Sequence, residues 1–179
     1  MADDKKEPWM NWLALTTVIL AVCATMATFK GGGYSTKSVM SQTKASDQWA
    51  YYQSKSIKGY IYDLQGDKLQ LELKAAGASL SAELQKDYTE RITAYKTKVQ
   101  KYEGEKVEIE KKARDLEDFR DLCGRHSAAF GMAVIFLQIA ILLSSIAALL
   151  KKKPLWVTGL GVGAVGLVHF ANGFYLFLK

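Results

Sequence analysis

Three apolar blocks interrupt an otherwise polar chain. Trp9 to Phe29 holds 21 residues without a charge, and at about 1.5 Å of rise per residue such a helix reaches about 31 Å, the thickness of a hydrocarbon core. Ser127 to Leu150 is a second charge-free block, and Leu155 to Leu178 is a third. This pattern predicts transmembrane helices at 9–29, 127–150 and 155–179, with a polar tail at 1–8 and a basic loop at 151–154 that forces the last two into a tight antiparallel pair. Trp9 and Trp12 suit an interfacial belt at the start of the first span. A basic start before an apolar run also fits a cleaved signal peptide, although Val22 ahead of Cys23 matches a lipoprotein cleavage box poorly.

Residues 30–126 carry a different period. Gly31, Gly32 and Gly33 predict a break after the first span, because consecutive glycines lose much backbone entropy in a helix. Stepping by three and four from Met40 then meets Thr43, Asp47, Ala50, Ser54, Ile57, Ile61, Leu64, Lys68, Leu71 and Ala75, so seven of eleven positions are apolar, a heptad-like stripe. Trp49, Tyr52 and Tyr60 widen that stripe, while Gly59 and Gly66 predict a bend or a break. The small-residue stretch around Gly77, with Ser79 or Ser81 as a helix cap, predicts a reversal. A second arm follows with Leu80, Leu84, Tyr88, Ile92, Tyr95, Val99, Tyr102, Ile109, Ala113, Leu116 and Phe119 on one face. No proline separates it from the second apolar block, so one helix is expected to run from Ser81 to Leu150, out of water and into lipid. The expected fold is therefore an all-α membrane protein with three transmembrane helices and a long extramembrane antiparallel, coiled-coil-like helical hairpin between the first and second.

Charge changes the picture chiefly by setting orientation. The net charge is +6, yet 30–126 holds 18 Lys and Arg against 15 Asp and Glu, a balanced mixture unlike the segregated basic face of a nucleic-acid binder. Lys151, Lys152 and Lys153 stand together in a short loop, which places that loop in the cytoplasm by the positive-inside tendency and offers a contact for anionic lipid. Three spans then put the N-terminus in the cytoplasm and the hairpin in the periplasm of a bacterial inner membrane. Lys30, Lys37, Lys44, Arg120 and Arg125 at the hairpin's ends favour the opposite topology, with the hairpin cytoplasmic. The mixed acids and bases from Arg114 to Arg125 read as a solvated collar beside the membrane.

Candidate chemistry is sparse. In the third span Gly159, Gly163, Gly166 and Gly173 fall on one stripe, a face that lets another helix approach closely within or between subunits. Gln138, His169 and Asn172 are the candidate polar residues at membrane depth; there they face protein or water, as hydrogen-bonding groups or as a proton or ion path. The cysteines, Cys23 and Cys123, read as inert buried thiols. The two histidines do not form a ligand set, and the closely spaced glycines lie inside an apolar span rather than after a strand, so no metal, cofactor or catalytic residue is assigned.

The segments Asn11 to Leu15, Lys30 to Gly32 and, above all, Asp47-Gln48-Trp49-Ala50-Tyr51-Tyr52-Gln53-Ser54-Lys55-Ser56-Ile57-Lys58 carry a resemblance. With the apolar pair around Lys151, they resemble a bacterial family of small membrane proteins known as a domain of unknown function. The resemblance implies an inner-membrane protein with a helical insertion, and no activity. The functional expectation is a noncatalytic homo-oligomeric membrane scaffold, with self as partner. The alternative is a small-subunit channel or transporter whose path runs near Gln138, His169 and Asn172.

Overall fold

The computed structural model describes residues 8–178, so most of the polar tail, and Lys179, lie outside the described residues. Helix α1 runs Pro8–Ala76 and α2 runs Ala82–Leu150, each of 69 residues, and α3 runs Lys153–Tyr175. A 3-10 turn, Gly77–Ser79, separates the first two, and no strand occurs among the described residues. Each of the three helices contains a stretch long and apolar enough to cross a membrane.

The expected break at Gly31 to Gly33 is absent, because α1 passes through it as helix. Tertiary contact outweighs the entropic penalty: the site of a Cβ on Gly31 lies 3.1 Å from Phe130 Cβ, and Ser127 Oγ donates to the Gly31 carbonyl at 3.1 Å. Gly59 and Gly66 likewise do not break the helix into separate elements. Both are buried, beneath Tyr102 and Tyr95 respectively. The end of α1 falls at the expected small-residue stretch. Gly77 adopts φ +52°, a left-handed conformation that ends α1 at little cost only for a residue without Cβ. Leu80 is extended, and Ser81 Oγ accepts from Leu84 N–H at 3.3 Å, supplying an N-cap to α2. The third helix begins at Lys153 rather than Leu155, since a proline is compatible with the first turn, where N–H groups have no helical acceptor.

The chain divides into two compact units: the described parts of Met1–Met40 with Phe119–Lys179, and Ser41–Asp118. The first unit packs the apolar ends of α1 and α2 with α3. Its core is Leu20, Ala24, Ala27, Phe130, Ala133, Leu137 and Ala140. Four of these seven residues are alanines, whose small side chains let helix backbones draw close. Phe130, fully buried, is its largest enclosed side chain, with Phe170 and Phe174 against it edge-on at 6.1 and 5.0 Å.

In the second unit the α1–α2 contacts run in opposite sequence order. Trp49 Nε1 donates to Glu117 Oε1 at 2.9 Å, Lys55 Nζ meets Glu105 Oε2 at 2.6 Å, and Tyr62 packs on Tyr102 and Tyr95 at 6.0 and 5.5 Å. The face that α2 uses is largely the predicted one, with Ile92, Ile109 and Ala113 buried. The face of α1 is not. Ser41, Ala45, Gly59 and Gly66 are buried, with Trp49, Tyr52 and Tyr62 half-buried beside them, whereas the predicted heptad stripe points outward. Ile57, Ile61, Leu64 and Leu71 are 59, 52, 70 and 67% exposed, and Tyr60 is exposed with them. Small residues and flat rings allow closer approach than branched aliphatics do, so the aliphatic stripe of α1 in this unit is left exposed among the described residues.

Candidate functional site

The glycines predicted to form a packing stripe all meet α2, and Gly163 also meets α1. A Cβ on Gly159 would lie 3.3 Å from the Ala140 carbonyl oxygen, and one on Gly163 would lie 3.2 Å from the methyls of Leu20. At Gly166 the distances are 2.9 Å to Leu137 Cγ and 3.0 Å to Leu137 N, and at Gly173 they are 2.6 Å to two ring carbons of Phe130. Phe130 therefore sits between two notches, one cut by Gly31 in α1 and one by Gly173 in α3. Gly161, off that stripe, has no atom within 4 Å of its Cβ position. The stripe thus builds the fold of the chain itself.

The three polar candidates are placed quite differently from one another. Asn172 is buried and holds the end of α3: its backbone carbonyl accepts from Leu176 N–H at 2.8 Å, and its side-chain Oδ1 accepts from Leu178 N–H at 2.7 Å. Leu176, in the left-handed conformation with φ 50°, makes that closure possible. His169 is half-buried and stacks on Phe136 at 5.6 Å with the rings 8° from parallel. His169 and Asn172 also line an open cavity of about 520 Å³ with Arg125 and Met132. Gln138 is not part of that cavity; it is exposed on α2.

Sequence reasoning missed His126 as a structural residue. Its Nδ1 lies 2.8 Å from the Gly173 carbonyl oxygen, which can only accept, so Nδ1 bears the proton. Its ring stacks on Tyr34 at 4.5 Å. His126 therefore ties α1, α2 and α3 together one turn from Phe130. The adjacency of a histidine to the start of an apolar block was the only signal available.

In the second unit, cations and rings alternate along the α1–α2 seam. Arg114 lies over Trp49 at 5.9 Å, Lys106 over Tyr52 at 5.3 Å, Lys55 over Tyr102 at 5.2 Å and Lys98 over Tyr62 at 4.5 Å. Arg114 and Lys98 are exposed, so water screens their share of these contacts. The hydrogen bond from Lys55 holds the Glu105 carboxyl below its ordinary range, and Glu105, then Tyr51, raise the Lys55 ammonium. Lys106 is raised by Glu103, whose Oε1 lies 2.7 Å from its Nζ. Lys151, Lys152 and Lys153 are exposed, with Lys151 at φ 50° where α2 ends.

These features define an all-helical protein with three helices able by length and composition to cross a membrane, two of them continuing into a charged second unit. The chain belongs to the DUF4337 family, described as a domain of unknown function, which matches residues 9–176. No curated protein and no solved structure matches it.

Proposed function

We propose that the protein is a noncatalytic homo-oligomeric scaffold of the bacterial inner membrane, with α1 and α2 forming an antiparallel, coiled-coil-like hairpin outside it. The supporting observation is the outward face of α1, where Ile57, Ile61, Leu64 and Leu71 recur at heptad spacing and are exposed among the described residues. Covering the exposed part of each such side chain is worth about 1–2 kcal/mol, and a second copy supplies an equally apolar face. In this reading the N-terminus and the Lys151 to Lys153 loop are cytoplasmic, the loop contacts anionic lipid, and the hairpin is periplasmic. The protein needs no cofactor and binds no nucleic acid.

Native mass measurement of the detergent-solubilised protein across a dilution series tests the assembly. An oligomer that dissociates with dilution is expected, and a monomer at every concentration overturns the proposal. Labelling of single cysteines at Lys96 and Lys152 in intact cells tests topology, with only Lys96→Cys expected to react. The channel alternative draws on the open cavity beside His169 and Asn172. Its test is bilayer conductance that disappears in His169→Ala; silent bilayers at confirmed incorporation count against it. It has less support, because Asn172 already closes α3 and Gln138 does not line the cavity.

A further inference from the structure

Between Gly131 and Leu149, α2 turns one face away from the rest of the chain. Gly131, Ile135, Gln138, Leu142, Ser145 and Leu149 follow steps of four and three, and all six are exposed. The opposite face, including Phe130, Ala133, Leu137, Ala140, Ser144 and Ala147, is fully buried. Exposed aliphatics suit lipid. Gln138 does not: it stands near the middle of the charge-free stretch 127–150, with two amide donors and a carbonyl acceptor that hydrocarbon cannot satisfy. Ser145 makes no such demand, since its hydroxyl donates to the Ile141 carbonyl at 2.9 Å.

A primary amide is its own complement, because the carbonyl of one accepts from the NH₂ of another. Copies inserted with the same topology place their α2 helices parallel, so the group at the depth of Gln138 is the partner subunit's Gln138. The alternation of four and three keeps such a seam continuous along a left-handed crossing. Gly131 leaves room for close approach, having no atom within 4 Å of its Cβ position. We propose that this face of α2 is the membrane seam between copies of the chain, pinned by reciprocal hydrogen bonds between Gln138 and the partner subunit's Gln138. The proposal rests on the homo-oligomeric reading above, and it gives Gln138 a role in assembly instead of in a solute path.

The test uses the full-length protein in native membranes, with Cys23→Ser and Cys123→Ala removing the native thiols. Single cysteines are placed on the seam at Ile135 and Leu142, and on outward positions of the other helices at Val22 and Val168. Oxidation is expected to link copies through positions 135 and 142 and not through 22 or 168. In the otherwise unaltered protein, Gln138→Leu is expected to raise the dissociation midpoint in the dilution series roughly tenfold, the equivalent of one interhelical hydrogen bond in lipid, while Gln138→Asn stays near the parent value. An oligomer that links through Val22→Cys or Val168→Cys, fails to link at any of the four sites, or is indifferent to Gln138→Leu overturns the seam and leaves the scaffold standing. A protein that is monomeric at every dilution overturns both.

Discussion

Gly173→Ala tests whether the notch around Phe130 organises the first unit. The added methyl would lie 2.6 Å from two carbons of a ring that has no exposed surface and is backed by Phe170 and Phe174. Neither ring nor helix can yield without disturbing Gly31 on the other side or the His126 contact to the Gly173 carbonyl. Overpacking of this kind costs about 1–3 kcal/mol. The better helix propensity of alanine offsets up to about 1 kcal/mol, so a net loss of about 1–2 kcal/mol is expected. Gly161→Ala is the internal control, because nothing lies within 4 Å of its Cβ position. There the propensity term acts alone, and the variant should be neutral or more stable by up to about 1 kcal/mol. Equilibrium unfolding in mixed micelles, read by tryptophan fluorescence, measures both. If the two variants shift the midpoint equally, the notch is not what holds Phe130 and the reasoning fails.

Three further substitutions probe other elements. Ser144→Ala should be neutral or stabilising by about 1 kcal/mol in the same assay, because Ser144 Oγ is buried with no hydrogen-bond partner among the described residues; a clear loss of stability would show that the hydroxyl is satisfied after all. Gly77→Ala should destabilise by about 1–2 kcal/mol, since an L side chain is strained at φ +52°; Gly77→Asn, which tolerates that conformation better, should lie between the two. The Lys55–Glu105 pair sets a pH dependence. Glu105 has a lowered folded-state pKa, so its contribution is present above the unfolded carboxylate pKa and is lost as pH falls through the folded value. Lys55 is raised, so its contribution is present at neutral pH and is lost only in strong base. Glu105→Gln should flatten the stability profile on its acid side, below the unfolded carboxylate pKa, and leave its slope near neutrality unchanged; an acid limb identical to the parent's would show that the pair does not set it.

Helix type and helix ends were legible where local chemistry decides them. The glycine at 77 with Ser81 behind it placed the end of α1 and the start of α2, and the absence of proline between Ser81 and Leu150 predicted the unbroken α2. The helix break at Gly31 to Gly33 was misread because glycine's entropic penalty is local, whereas the contact that outweighs it comes from Phe130, about a hundred residues away. The α1 face was misread for a related reason. A count of apolar positions finds the most hydrophobic stripe, but Ser41, Ala45, Gly59 and Gly66 form the inner face because they permit close approach, a property of size. The polar candidates were recognisable by type alone: nothing in their spacing told that Asn172 would close a helix end while Gln138 faced outward.

The closure at Asn172 fixes where the third helix ends. One residue answers two backbone N–H groups, through its carbonyl and its side chain, with no charged group involved in either bond. The helix therefore stops at a point written into the chain and not at the depth where water happens to begin. In the membrane reading, a thicker or thinner bilayer cannot lengthen or trim α3 by shifting its fraying end. The mismatch must be taken up by tilt or by deformation of the lipid, and the notched packing of α3 on Phe130 and Leu137 obliges its neighbours to tilt with it.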